Sequence, residues 1–111
     1  MIGKLRRILY RSIESNEISY KKLENLMRNN DVFLVDVRSN REFEEGHLNS
    51  AINIPVFNIK NNIKNIVPNK QSIIILYCST GHRSKEAKEI LKELGYENVY
   101  NLKDGIDRIW V

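Results

Sequence analysis

The chain has 111 residues, which is enough for one domain with a substantial core and too few for two. It carries 18 basic and 14 acidic residues; four of the basic ones and no acid lie in the first eleven positions, so the remainder is balanced. This balance, without aromatic residues spread among basic ones, argues against a nucleic-acid surface. Because Cys78 is the single cysteine and no apolar segment resembles a signal peptide or membrane span, we expect a reducing, cytoplasmic location.

The first thirteen residues place their aliphatic side chains roughly on one helical face: Ile2, Leu5, Ile8, Leu9 and Ile13. Two interpretations are open. The segment is an interfacial membrane helix or partner-binding helix, or it packs on the domain with a solvated basic face. The second is favoured over membrane contact, because one or two weakly amphipathic turns bind membranes poorly. We expect residues 1–17 to form a basic amphipathic extension and residues 18–111 to form the domain.

Strands and helices alternate along the domain. The pattern predicts strands near residue 18 and at 32–37, 51–54, 73–77 and 99–102. It predicts helices at 20–29, 41–45, 57–67 and 84–94. Ser19 is the expected N-cap of the first helix, and Gly95 is placed to end the last one in a left-handed conformation. The alternation predicts an α/β fold with a mainly parallel sheet of about five strands and helices on both faces. Trp110 is expected to be a core residue.

The run 32–37 shows no alternation, which predicts a buried parallel strand, and its one charge is Asp36 at the C-terminal end. Open parallel sheets place their sites at that edge. A buried carboxylate needs a partner, and Arg38 is the nearest basic candidate. His47 follows the short helix after Gly46, and we interpret it as a structural hydrogen-bonding residue. No second histidine, cysteine or acid lies at metal-site spacing, so we expect no metal.

The stretch Cys78–Ser84 lies between the most apolar run of the chain, 73–77, and the last predicted helix. The first N–H groups of a helix lack partners and carry the positive end of its dipole, so a loop entering it forms an anion-binding nest. A cysteine there is favoured as the thiolate, and Arg83 and His82 add positive potential. A buried structural cysteine is the other interpretation. The strand–loop–helix context, with Gly81 allowing a tight bend, favours a nucleophile that solvent can reach.

Three separated motifs stand in order along the chain: Asp36-Val37-Arg38 with Glu42-Phe43 and Gly46-His47; Cys78-Ser79-Thr80-Gly81-His82-Arg83-Ser84; and Asn101-Leu102 through Gly105 to Trp110. Together they resemble the signatures of the single-domain rhodanese family, over roughly residues 18–111. Asp104 stands where many relatives have a second glycine, a departure that is expected to touch the turn and not the chemistry.

The resemblance implies a rhodanese-like fold and sulfur transfer without a cofactor. The Cys78 thiolate would take the outer sulfur of a donor such as thiosulfate or a persulfide, and a thiol or cyanide would then remove it. The acceptor must come from outside, as a small thiol or a carrier protein, because there is no second cysteine. Arg83 would close the loop and draw in the donor, while His82 and Ser79 would shape selectivity. The residues implied to bind the persulfide are Ser79, Thr80, Gly81, His82, Arg83 and Ser84, and those implied to support the loop are Asp36, Arg38, Glu42 and His47.

Two other functions stay open. Dual-specificity phosphatases and some arsenate reductases share the fold and also use a Cys…Arg loop, but they place five residues between the two to surround a tetrahedral oxyanion. Here four residues separate Cys78 from Arg83, which argues against that chemistry. Rhodanese-like domains also serve as non-catalytic interaction or regulatory modules. The intact Cys78 and the complete loop argue against such a role.

Overall fold

The computed structural model describes residues 16–109, which form one five-stranded sheet with helices on both faces. The strands are β1 (Glu17–Ile18), β2 (Val32–Asp36), β3 (Ile52–Asn53), β4 (Ile73–Tyr77) and β5 (Asn98–Leu102). The helices are α1 (Tyr20–Asn29), α2 (Asn40–Glu45), α3 (Ile59–Ile66) and α4 (His82–Glu93), with a 3-10 turn at Val56–Asn58 before α3. The predicted N-terminal helix and Trp110 lie outside the described residues.

The strand order is β1-β5-β4-β2-β3, and every neighbouring pair is parallel. This confirms the predicted α/β class and the parallel sheet. Since all strands point the same way, their carboxyl ends meet at one edge. Asp36, the last residue of β2, is in register with Tyr77, the last residue of β4. Cys78 therefore follows β4 directly beside the end of β2, as the sequence predicted.

Alternate residues of β4 are buried on opposite faces of the sheet. Ile75 and Tyr77 belong to the core on the α1 side, whereas Ile74, Leu76 and Cys78 belong to the larger core that includes residues of α3 and α4. Helices cover both faces, so most positions of the central strands are removed from water, which explains the unbroken apolar runs. Among residues 16–109, no helix is long and apolar enough to cross a membrane.

The ends of the helices follow local signals in the sequence. The Ser19 side chain accepts a hydrogen bond from the third residue of α1, at 3.1 Å, so this N-cap is confirmed. Gly95, which follows the C-cap residue Leu94 of α4, has φ +97°, as expected for that position. The start of α4 was predicted wrongly: the helix begins at His82 instead of Ser84. Gly81, with φ +98°, turns the chain into the helix two residues earlier than its apolar pattern indicates.

Candidate active site

The sulfur of Cys78 lies at the start of α4 and is surrounded by hydrogen-bond donors. The Gly81 N–H donates to Sγ at 3.1 Å and the Ser84 N–H at 3.4 Å, and the Ser84 hydroxyl also lies 3.4 Å from Sγ. These donors come from the loop and the first turn of α4, where backbone N–H groups have no helical partner. The loop therefore has the form of the nest that the sequence predicted, and its N–H groups converge on one sulfur atom.

Cys78 is only 1% exposed, so the expectation that solvent can reach its thiol is wrong. The reason is that Cys78 continues the core-facing side of β4, while the first turn of α4 encloses its sulfur. The outer part of the loop is exposed at Thr80 and His82, and the Thr80 hydroxyl lies 3.0 Å from Nδ1 of His82. These two residues therefore form the solvent-facing side of the loop.

The turn that follows β5 holds the loop through its backbone. The Ile106 N–H donates to the carbonyl oxygen of Cys78 at 3.0 Å, and the Asp107 N–H donates to that of Ser79 at 3.1 Å. Two consecutive loop carbonyls are thereby fixed by a segment more than twenty residues away in sequence. Sequence reasoning missed these contacts, because backbone hydrogen bonds between loops leave no side-chain pattern.

Two glycines allow this close approach. A Cβ atom on Gly81 would lie 2.2 Å from the carbonyl oxygen of Lys103, and a Cβ atom on Gly105 would lie 2.1 Å from that of Ser79. Both glycines also have positive φ, +98° and +73° respectively. The loop and the turn after β5 therefore pack backbone against backbone, with no room for a side chain at either glycine.

Glu42 joins α2 to the loop. Its Oε1 accepts from Nη1 of Arg83 at 2.7 Å and its Oε2 from Nη2 at 3.0 Å, while the Ser79 hydroxyl donates to Oε2 at 3.3 Å. The hydrogen bonds from Arg83, with further ones from Ser39, lower the pKa of Glu42 from 4.5 to about 2, although burial acts in the opposite direction. The bond to Glu42 likewise raises the pKa of Arg83.

These contacts bear on the predicted closing of the loop by Arg83. Its guanidinium pairs with the Glu42 carboxylate, so it cross-links the loop to α2. This geometry agrees with the predicted loop closure, while the attraction of a donor by Arg83 stays a prediction. Glu42 is itself placed by a capping box, in which Ser39 and Glu42 each bond the other's backbone N–H. The Ser-x-x-Glu spacing that signals such a box is present in the sequence, but sequence reasoning did not use it.

Asp36 and Arg38 form the predicted buried pair. Nη2 of Arg38 lies 2.7 Å from Oδ2 of Asp36, and the Arg38 backbone N–H donates to Oδ1 at 2.9 Å. The same Nη2 donates to the carbonyl oxygen of Gly46 at 2.6 Å, at the end of α2. The pair thus ties the end of β2 to the helix that carries Glu42. Its support of the loop is indirect, through the position of α2.

His47 stabilises the end of α2. Its ring stacks on Phe43 with centroids 3.7 Å apart, and its Nδ1 lies 2.8 Å from the Phe43 carbonyl oxygen. The structural interpretation of this histidine agrees with these contacts. Any support it gives to the loop passes through α2.

Residues 19–110 match the family described as Rhodanese-like domain. The chain belongs to the rhodanese family. Its relatives include the thiosulfate sulfurtransferase PspE of Escherichia coli K12, 42% identical over 73 residues, which span 63% of this chain and 70% of PspE. They also include the tRNA uridine(34) hydroxylase of Buchnera aphidicola, 38% identical over 93 residues, which span 80% of this chain but 30% of that protein. This rhodanese domain thus covers less than a third of that hydroxylase.

Solved structures agree with this assignment. A rhodanese from E. coli matches with a TM-score of 0.65 and 36% identity, covering 69% of this chain and 89% of its own. A rhodanese-like domain protein from Staphylococcus aureus matches with a TM-score of 0.68 and 27% identity, covering 83% and 88%. The resemblance seen in the three motifs is therefore confirmed for family and fold.

The predicted site residues of this rhodanese domain fall into two groups. Glu42 directly contacts the loop that runs from Cys78 to Ser84. Asp36, Arg38 and His47 lie behind it and act on the position of β2 and α2. The first motif, at residues 36–47, thus supports the cysteine loop from the side of β2 and α2.

Proposed function

We propose that this rhodanese-family chain is a sulfurtransferase that carries sulfane sulfur on Cys78. The observation that carries the proposal is the convergence of the Gly81 and Ser84 N–H groups on one sulfur atom. Such donors stabilise a negatively charged sulfur as an oxyanion hole stabilises oxygen. Similarity to a thiosulfate sulfurtransferase supports the same chemistry.

In the first step, the Cys78 thiolate attacks the outer sulfur of thiosulfate. The S–S bond of thiosulfate breaks, sulfite leaves with its electron pair, and Cys78 keeps the sulfur as a persulfide anion. A persulfide donor would react in the same way and leave as a thiolate. The N–H groups of Gly81 and Ser84 donate to Sγ and so stabilise the attacking Cys78 thiolate.

In the second step, an acceptor thiolate or cyanide attacks the outer sulfur. The S–S bond of the persulfide breaks, and the electron pair returns to the Cys78 thiolate. Cys78 is the single cysteine of the chain, so the resolving thiol belongs to a small molecule or a carrier protein. A reducing compartment such as the cytoplasm would keep Cys78 available, and this location stays a prediction.

Intact-protein mass spectrometry tests the proposal. Wild-type protein incubated with thiosulfate should gain one sulfur atom and lose it again when a thiol is added, with release of the sulfane sulfur to that thiol. The Cys78→Ser variant should fold normally and gain none. If the wild-type protein gains no sulfur from thiosulfate or from a small persulfide, the non-catalytic interaction module becomes the better interpretation.

A further inference from the structure

A polar cluster lies between β1, β5 and α4 and consists of the partly buried Glu17 and the buried Lys88 and Asn101, which we term the rear cluster. The Lys88 side chain is 3% exposed and its Nζ pairs with Oε2 of Glu17. Asn101, itself 1% exposed, donates from Nδ2 to Oε1 of Glu17 at 2.9 Å. The same Nδ2 makes a long contact of 3.5 Å with the carbonyl oxygen of Gly81. Asn101 therefore connects the ion pair to the cysteine loop.

Stability gives little reason for this cluster. Replacing a buried ion pair with apolar residues is often neutral or stabilising, because desolvating two charges is costly. Within residues 16–109, the buried Asn101 Oδ1 also has no hydrogen-bond partner, which adds a further cost. What the cluster does fix is the direction of the Asn101 amide, since Glu17 accepts from its nitrogen and Lys88 holds Glu17.

The orientation of the Asn101 amide affects the surroundings of the Cys78 sulfur through the Gly81 carbonyl. The Ser84 hydroxyl lies 3.2 Å from the Gly81 carbonyl oxygen and 3.4 Å from the Cys78 sulfur. A hydroxyl has one proton, so it donates to only one of these two acceptors at a time. The Gly81 carbonyl also accepts from the Lys85 N–H at 3.1 Å. With Asn101 as its second donor, both of its lone pairs are used, and the Ser84 proton can turn to the sulfur.

We propose that Asn101, oriented by Glu17 and Lys88, is a positioning residue for sulfur transfer. Together with the Lys85 N–H, it occupies the Gly81 carbonyl, so that the loop keeps the Gly81 N–H on the Cys78 sulfur and the Ser84 hydroxyl is free to donate there. The proposal deepens the proposed function and rests on it. Asn101 touches no reacting atom and acts through Gly81 and Ser84.

Asn98 offers a matched control on the same strand. Its Nδ2 also donates to a backbone carbonyl, that of Gln71 at 2.8 Å, but at the end of β5 away from the loop. We expect Asn101→Ala to lower the rate of persulfide formation at saturating thiosulfate about tenfold, with the half-saturating concentration unchanged, because a contact acting on the transition state is lost. Asn98→Ala should stay within about twofold of the wild-type rate. Rates are measured by single-turnover mass spectrometry and expressed per folded molecule.

A second set of variants keeps the test decisive if Asn101→Ala folds poorly. The double variant Glu17→Met/Lys88→Met removes both charges together, so no buried charge is left unpaired. It should form persulfide more slowly than wild type, because Asn101 loses its orientation. Adding Asn101→Ala to this background should lower the rate of persulfide formation by a smaller factor than it does in the wild type, which is the coupling expected of residues acting as one unit. An undiminished rate in the double variant would overturn the proposal.

Amide hydrogen exchange separates this inference from the proposed function. Without any sulfur donor, the Gly81 and Ser84 amides should exchange faster in Asn101→Ala than in Asn98→Ala. Absence of persulfide in the wild type would defeat the proposed function, whereas the exchange comparison would still show whether Asn101 orders the loop. If Asn101→Ala lowers Tm but keeps both the rate and the exchange pattern, its role is structural and the proposal is wrong.

Discussion

Replacing Gly105 with alanine should displace the cysteine loop. The new Cβ would lie 2.1 Å from the carbonyl oxygen of Ser79, 2.4 Å from its carbonyl carbon and 2.6 Å from the amide nitrogen of Thr80. All three atoms belong to the backbone of the loop, so no side-chain rotation can relieve the overlap. The residue directly after Cys78 would have to move, and the N–H groups that face the sulfur would move with it.

The expected loss of stability in Gly105→Ala follows from a comparison with Gly95→Ala. Gly95 has a similar positive φ, +97° against +73° for Gly105, but its Cβ would meet only the Lys70 side chain, at 3.7 Å and beyond. Gly95→Ala should therefore cost about 1–2 kcal/mol, the usual penalty for an L-residue in the left-handed region. Gly105→Ala adds the backbone overlap, and we expect it to cost at least about 2 kcal/mol more, at the upper end of overpacking effects.

Urea unfolding and persulfide formation test this reasoning together. Gly95→Ala should form the Cys78 persulfide at nearly the wild-type rate per folded molecule, since its strain lies at the far end of α4. Gly105→Ala should be the less stable variant and, where folded, should transfer sulfur at least about tenfold more slowly, as expected when aligned N–H donors are displaced. Equal stability and equal rates for the two alanine variants would refute the claim that the turn after β5 positions the loop.

The remaining predictions concern two residues that support the cysteine loop, Glu42 and Asp36, and the length of that loop. The pKa of Glu42 is lowered from 4.5 to about 2, so its pairing with Arg83 stabilises the fold above pH 4.5, and this stabilisation is lost as pH falls through 2. In Glu42→Gln, Tm should therefore fall less steeply between these two pH values, as measured by thermal unfolding at a series of pH values. Asp36→Asn should lower stability by about 3–5 kcal/mol in urea unfolding, because it removes the negative charge from the buried Asp36–Arg38 pair. A preserved Tm with abolished persulfide would instead make Asp36 catalytic. The wild-type protein should hydrolyse an aryl phosphate no faster than Cys78→Ser, since a loop with four residues between Cys78 and Arg83 has too few donors for the three equatorial oxygens of a phosphoryl group. Hydrolysis of the aryl phosphate by the wild type that is faster than its sulfur transfer would contradict this prediction.

Much of the fold could be predicted because the signals are local. The unbroken apolar runs before Asp36 and Cys78 mark central strands covered on both faces, and the parallel sheet then brings both residues to one edge. Arg38 was the nearest cation to a carboxylate that had to be buried, and it is the partner. These inferences need only a strand pattern and the requirement that a buried charge be paired.

The rest depends on distances between segments that are far apart in sequence. The exposure of Cys78 could not be read from the sequence, since the favourable helix start and the core-facing side of β4 coincide at this residue. The Glu42–Arg83 pair spans 41 residues, and many other acids could have partnered Arg83. Lys88 carries a charge on the buried face of α4, where the helical pattern alone predicts an apolar or solvated residue.

The turn after β5 contains two neighbouring positions with different requirements. The backbone of Asp104 does not have positive φ, and its exposed side chain lies 3.4 Å from Arg108. Gly105, one residue later, is the position whose Cβ would strike Ser79. The two positions therefore differ in what they require: the first faces solvent and tolerates a side chain, whereas the second lies against the cysteine loop. Glycine is therefore required at the position that touches the loop, and not at the exposed position before it.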